Sequence, residues 1–377
     1  MSKNFFTKTI LIMIILAFAA AGVSILFSAG GKGTAILNDI KYEKRTEEIL
    51  TDMTLEEKVG QMFMGCFYSY TPSAEKVDKY NLGAVLLFKP SFKSTPKDQM
   101  TAKLTAIDAG CDLAPLIAVD EEGGSIVRVS SSKYYRSRPF KSPRELFKEG
   151  GMDAVISETH EKNSLLKEIG VDMNLAPVCD IAVNKKDFMY SRSLGQSAEV
   201  ISEFAAKTVK ACKKDGIACS LKHFPGYGNA VDTHVGKAVD KRSFEDIMNS
   251  DILPFKAGIE AGAQVILVSH NTVASIDKKL PASLSPAVNE LLRNDLGFDG
   301  IIITDDLIMG AVTNHMSESE IAVAAVKAGN DMLCTGDYAT QIKAVIKAVN
   351  RGEISEERIE TSVMRILKLK LELGIIS

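Results

Sequence analysis

The sequence predicts an α/β protein: a (β/α)8 barrel of the TIM type, preceded by an N-terminal apolar segment. Three observations predict it. Short apolar runs rich in β-branched residues alternate with helical stretches after residue 54. The runs are apolar on both faces, which suits parallel strands covered by helices. Polar residues gather directly after successive runs, at the end where a barrel opens its active site. A doubly wound open sheet shares the alternation and is the second architecture.

Residues 10–28 read ILIMIILAFAAAGVSILFS, carry no charge and follow Lys3 and Lys8. A positive flank before about 19 apolar residues can span a bilayer. The run is long for a signal-peptide core, although Ala17-Phe18-Ala19 and Ser28-Ala29-Gly30 offer cleavage points. No cysteine lies near its end, which disfavours a lipoprotein anchor. Residues 1–30 are read as a membrane anchor or signal peptide, placing the remainder outside the cytoplasm. Residues 31–50 are Gly/Lys-rich, then charged, and read as a linker. Residues 51–377 are expected to form the single barrel domain.

Thr54-Leu55-Glu56-Glu57 is a capping-box signature and opens the first barrel helix. The runs read as strands are Gln61–Phe67, Ala84–Phe88, Leu116–Val119, Met173–Val178, Ala218–His223, Val265–Ser269, Gly300–Thr304 and Asp331–Cys334. A helix is expected from about Ser317 to Ala328, stopped by Gly329. The last helix places Ile359, Val363, Ile366 and Leu367 on one stripe.

Composition narrows the function classes. The net charge of −3 gives nucleic acid no reason to be a partner. Glycine and proline make up about a tenth of the chain, which disfavours low-complexity disorder. The absence of Trp weakly disfavours a long polysaccharide cleft. The six cysteines are scattered and none forms CxxC, so a zinc knuckle or redox pair has little support. Most read as buried, unpaired thiols.

The segments after the strands carry the chemistry. The third run is followed by Asp120-Glu121-Glu122-Gly123-Gly124 and Arg128, and the fourth, past Asp180, by Ser191-Arg192-Ser193. The fifth leads into Lys222-His223-Phe224-Pro225-Gly226 and then Asp232-Thr233-His234. Ser269-His270-Asn271 and Thr304-Asp305-Asp306 close the sixth and seventh. A carboxylate at a strand tip, rigid and partly desolvated, suits a nucleophile; the alternative for the Asp305-Asp306 doublet is a helix N-cap. Asp232 beside His234 can fix the imidazole's tautomer and raise its basicity, giving a proton donor and acceptor; the alternative is an exposed loop pair. Arg128 and Arg192 either hold a polar ligand or pair with nearby carboxylates. His223 either bonds substrate hydroxyls or satisfies the barrel top. His160 and His315 read as surface residues. Gly123-Gly124 alone is weak evidence of a phosphate cradle, and no GxGxxG or GxxxxGK[ST] occurs.

Taken together, these motifs resemble the single-domain, barrel-type β-N-acetylglucosaminidases of glycoside hydrolase family 3, from about Thr54 to the end. The matching stretches also include Leu55–Met62, Pro281-Ala282-Ser283 and Asp305-Asp306-Leu307. The resemblance implies Asp305 as nucleophile, His234 as acid/base and Asp232 as its tuner. It implies that Asp120, Arg128, Arg192, Lys222 and His223 grip a non-reducing N-acetylglucosamine. It further implies double displacement with retention on muropeptides or chito-oligosaccharides, without a metal or organic cofactor. Where members of the family commonly carry His after the KHFPG glycine, this chain has Tyr227. Alternatives are a β-glucosidase or β-xylosidase of the same family, an N-acetylglucosaminide phosphorylase, a metal-dependent hydrolase using His223, His270, Asp305 and Asp306, and a wall-binding barrel without turnover.

Overall fold

The computed structural model describes residues 31–228, 238–314 and 316–377, with side chains from residue 39. The apolar segment 1–30, Asp232, His234 and His315 lie outside the described residues. The chain divides into two units, ending and starting at Asp52 and Met53. In the first, Gly31–Asp52 form one helix, so the segment read as a linker is helical. Among the described residues no helix is long and apolar enough to cross a membrane.

The second unit is a barrel. In chain order its strands are β1 (Phe63–Phe67), β2 (Ala84–Leu87), β3 (Leu116–Val119), β4 (Met173–Asn174), β5 (Ala218–Phe224), β7 (Val265–Val268), β9 (Ile301–Thr304) and β10 (Leu333–Thr335). Two short strands, β6 (Val239–Asp240) and β8 (Thr272–Val273), pair with each other outside it. The sheet runs β10-β1-β2-β3-β4-β5-β7-β9, and every neighbouring pair is parallel. A bridge between Ile303 and Met332 joins the two ends and closes it. That closure excludes the doubly wound open sheet, whose outer strands stay unpaired.

The eight barrel strands are buried along their whole lengths, as parallel strands between a filled interior and a helical coat must be. The fourth is shorter than its apolar run. Pro177 has no N–H to give to a ladder, so regular pairing stops at Asn174, with a single bridge from Val178 to Lys222 beyond it. Gln61 and Met62, read as strand, instead finish the helix Leu55–Gln61 and supply its C-cap.

The helices start and stop where their chemistry dictates. Thr54 Oγ1 accepts from Glu57 N–H while Glu57 accepts from Thr54 N–H at 2.6 Å, completing the capping box. Ser317 caps Glu318–Ala328 in the same way, and Gly329 ends that helix at φ 111°, a conformation costly for any residue with a Cβ. The final helix, Glu356–Glu372, buries Ile359, Val363, Ile366 and Leu367 completely. All six cysteines are free thiols; five are buried, and Cys66 and Cys334 bring their Sγ atoms within 3.3 Å on adjacent strands.

Candidate active site

The site is assembled at the carboxyl ends of the strands, where the helical coat leaves the barrel open. Asp305 is the first residue after β9. Its N–H donates to the Val268 carbonyl at 2.9 Å, and its Oδ1 accepts from Asp306 N–H at 2.9 Å. Burial pushes its carboxyl up, but His270, His223, the Asp306 N–H and Lys222 outweigh this and hold it below the ordinary value. Asp305 is therefore an anion, partly exposed at the tip of β9. Asp306 behaves differently. Burial and the charge of Asp305 push it up to about 6, while its Oδ2 takes the Tyr68 hydroxyl proton in a hydrogen bond.

Neither aspartate is a helix N-cap. The following helix begins at Gly310 and its N-cap is Met309. Asp306 instead accepts from Ile308 N–H two residues on, at 3.3 Å, an Asx-type turn.

The acidic triplet after β3 splits into three tasks. Asp120 takes Lys222 Nζ at 2.7 Å and, more loosely, Arg128 Nη2 at 3.4 Å. Glu121 is fully buried and accepts from the N–H groups of Arg128, Val129 and Ser130, so it folds the loop that presents Arg128. Glu122 is clasped by Arg192 through two bonds of 2.9 and 2.6 Å and by Lys222 at 2.7 Å. Burial alone would raise Glu122, yet the two cations hold it well below the carboxylate range. Lys222, itself buried, stays above its ordinary value because Asp120 and Glu122 outweigh the desolvation. The network alternates in sign, so each buried charge meets its opposite.

His223 has both ring nitrogens occupied. Arg192 can only donate, so the 3.1 Å contact from its Nη2 makes His223 Nε2 an acceptor. Nδ1 then carries the hydrogen and donates to Asp180 Oδ2 at 2.7 Å. Asp180 also takes the N–H of Tyr227 at 2.8 Å, and the Tyr227 ring packs edge-on to His223 at 5.3 Å. Tyr227 is thereby a buried support of His223. Arg128 lies 5.3 Å over the Phe88 ring, which stacks on Tyr68 at 4.8 Å. Arg128 Nε is buried and has no hydrogen-bond partner among the described residues.

The structure thus brings Asp120, Arg128, Arg192, Lys222 and His223 together in one network, with Asp305 within its electrostatic reach. Both arginines pair with carboxylates, as one of the two sequence readings had it. The segment carrying Asp232 and His234 leaves from Gly226, whose carbonyl takes Asn271 Nδ2 at 2.9 Å, and returns at Ala238, whose carbonyl takes Thr272 N–H at 2.7 Å. His160 is half-exposed on the helix Pro143–Glu168 and pairs with Asp215 at 2.7 Å. The four residues of the metal reading form no ligand set: His223 Nε2 faces a guanidinium, and His270 Nε2 faces the Asp306 carbonyl at 3.0 Å. Among the described residues no three His, Cys, Asp or Glu side chains are grouped to hold a metal.

Sequence reasoning gave no role to Glu122, Asp180 or Tyr68, and offered His270 only as a metal ligand. All four stand within a few residues of a strand's carboxyl end, which was the available signal.

The profile described as "Glycosyl hydrolase family 3 N terminal domain" matches residues 54–369. A β-hexosaminidase of Stenotrophomonas maltophilia is 33% identical over 235 residues, covering 61% of this chain and 69% of the relative. A β-hexosaminidase of Nitrosomonas eutropha is 29% identical over 301 residues, covering 76% and 85%. The solved structure of a family 3 β-N-acetylglucosaminidase from Paenibacillus superposes with a TM-score of 0.80 at 29% identity. That match covers 86% of this chain, which spans 63% of the Paenibacillus chain.

Proposed function

The chain belongs to glycosyl hydrolase family 3, and from that premise we propose that it is a β-hexosaminidase: a retaining exo-β-N-acetylglucosaminidase acting on the terminal non-reducing N-acetylglucosamine of muropeptides or chito-oligosaccharides. The observation that carries the reading is Asp305, an anion at the tip of β9 beside a buried network of opposed charges. The names of the related β-hexosaminidases support the sugar.

In the first step the Asp305 carboxylate attacks the anomeric carbon while His234 gives its proton to the departing glycosidic oxygen. The bond to the aglycone breaks as the bond to Asp305 forms, leaving a covalent glycosyl-enzyme. Water then attacks the same carbon, His234 takes its proton, and the sugar leaves with its original configuration. Asp232 tunes His234. Lys222, Arg192 and Arg128 supply fixed donors to sugar hydroxyls, and Asp120 accepts from them. Because these donors are oriented before the sugar arrives, little reorganisation accompanies charge development. A neutral imidazole in place of a second carboxylate also avoids repelling an anionic acceptor such as phosphate. Residues 10–28 serve as an export signal or membrane anchor, placing this chemistry outside the cytoplasm.

Aryl β-N-acetylglucosaminide, β-glucoside and β-xyloside, each assayed with and without inorganic phosphate, test the assignment. Fast turnover of the first alone is expected. Equal rates on all three would remove the sugar specificity, and phosphate-dependent release of sugar phosphate would make the enzyme a phosphorylase. Asp305→Asn is expected to lower kcat by at least about 10³-fold, and a fluorinated sugar should leave its adduct on the peptide bearing Asp305.

A further inference from the structure

His270 and the segment Pro281-Ala282-Ser283 have no part in the chemistry above, yet they meet directly behind the nucleophile. The turn Ala282–Leu284 lies against the exit of β7. Ser283 N–H donates to the Ser269 carbonyl at 3.0 Å, and Ala282 N–H donates to the Asn271 carbonyl at 2.8 Å. One turn therefore pins the residues on both sides of His270. Between them the His270 ring is buried and held at both nitrogens. Nδ1 lies 2.6 Å from Ser283 Oγ, and Nε2 lies 3.0 Å from the Asp306 carbonyl oxygen. A carbonyl only accepts, so Nε2 carries a hydrogen, and the Ser283 hydroxyl pairs with Nδ1 on the other side of the ring.

Both ends of this chain are anchored. The Ser283 carbonyl takes Asn330 Nδ2 at 2.7 Å, and Asn330 also donates to the Ala325 carbonyl at 2.7 Å. At the other end, Asp306 is held by His270 at its carbonyl while its own N–H holds Asp305 Oδ1 at 2.9 Å. The line runs from Asn330 through Ser283, His270 and the Asp306 backbone to the Asp305 carboxylate.

We propose that His270 and Ser283 form a positioning couple: Ser283 fixes the ring, the ring's Nε2–H fixes the Asp306 backbone, and that backbone aims the Asp305 carboxylate at the sugar carbon. The inference rests on Asp305 being the nucleophile. It gives the Pro281-Ala282-Ser283 motif a task in the reaction without contact to the substrate.

Two near-isosteric variants separate this from simple space filling. In His270→Gln the amide nitrogen reaches about where Nε2 sits, keeping a donor for the Asp306 carbonyl. In His270→Asn the amide reaches only the Nδ1 position, keeping the Ser283 contact and losing Asp306. His270→Gln is expected to keep kcat within about tenfold of the wild type, the scale of one hydrogen bond. His270→Asn is expected to lose about 10²-fold, the scale of a misplaced reacting group. Ser283→Ala should fall between them, with KM nearly constant in all three. The rate of covalent trapping by a fluorinated sugar, which reports Asp305 attack alone, should follow the same order. Thermal melting and calorimetric binding of N-acetylglucosamine identify a variant that has failed to fold.

Equal losses in His270→Gln and His270→Asn would overturn the proposal, as would a loss residing wholly in KM. If His270→Asn does not fold, trapping of Ser283→Ala at the wild-type rate overturns it instead. A wild type trapped on a residue other than Asp305 would sink the nucleophile assignment and this inference together. Trapping on Asp305 with unaltered rates in the variants would sink the positioning couple alone.

Discussion

Two lysines, both fully buried, sit at opposite ends of the barrel and meet opposite fates. Lys222, at the carboxyl end of β5, touches two carboxylates at 2.7 Å each and is held above its ordinary pKa. Lys370, on the last helix, donates to the neutral amide oxygen of Gln61 at 2.6 Å with no ion pair among the described residues, and burial pushes it down to about 7. The groups that act on Lys370 are also shifted: burial pushes Cys111 up to about 11, Asp172 up to about 7 and Asp108 up to about 6. Equal desolvation thus gives a permanent cation at one end and a titrating amine at the other. The partner within hydrogen-bond reach decides which. The open end keeps its charges by pairing them, which is what a site that must grip a neutral polar sugar needs.

Removing Lys222 is the strongest way to test that contrast. Lys222→Met leaves Asp120 and Glu122 without their shared partner in a buried setting. A stability loss of about 3–5 kcal/mol is expected, with loss of turnover, read by urea unfolding and by the aryl glycoside assay. At Lys370 the sign reverses. Lys370→Met removes a poorly partnered cation and is expected to raise the melting temperature at pH 7 and below. The gain shrinks with pH for a definite reason. Between about 7 and 10.5 the unfolded chain still binds the proton that the fold has released. Wild-type stability therefore climbs through that window, by at most about 1.4 kcal/mol per pH unit. Lys370→Met should lack this climb, and the two proteins should converge near the upper limit. If Lys370→Met destabilises at pH 7 as Lys222→Met does, the contrast between the ends is wrong.

The smallest effect concerns Asp172. Its folded value is raised, so between 3.8 and about 7 the fold holds a proton that the unfolded chain has lost. Its contribution is full at low pH and is lost as pH rises to about 7. Asp172→Asn keeps an acceptor for the Ile117 N–H, which donates to Asp172 Oδ2 at 2.8 Å, and should remove this acid-side slope alone. Unfolding curves of the two proteins at pH 4.5 and pH 7 measure it.

Much of the barrel was legible because parallel strands buried on both faces write themselves as continuous apolar runs, and caps such as Thr54 and Gly329 act locally. The short β4 was misjudged because Pro177 is apolar yet cannot donate to a ladder. In the site, position after a strand picked out Asp120, Lys222, Arg192 and Asp305. The division of labour among Asp120, Glu121 and Glu122 was not legible: three adjacent acids differ only in which distant partner they meet. Arg192 stands 70 residues from Glu122 in the chain, and Tyr68 stands 238 from Asp306. Nothing in the sequence marks Lys370, since only the packing of the helix Glu356–Glu372 removes its amine from water.

The seam where β9 meets β10 has a consequence of its own. Its ladder is a single bridge, and side chains complete the joint: Asp331 Oδ2 accepts the Ile302 N–H at 2.8 Å, and Thr304 Oγ1 accepts the Cys334 N–H at 3.1 Å. Peptide groups carry most of the ladders in the barrel wall, and the β3/β4 joint adds side-chain links of the same kind, through Asp172 to the Ile117 N–H and through Asn174 to Glu121. At the β9/β10 seam part of the fastening is encoded in two particular side chains, one of them the immediate neighbour of Asp305. Heredity can loosen this stave by a single codon, so the geometry beside Asp305 is open to adjustment by one substitution.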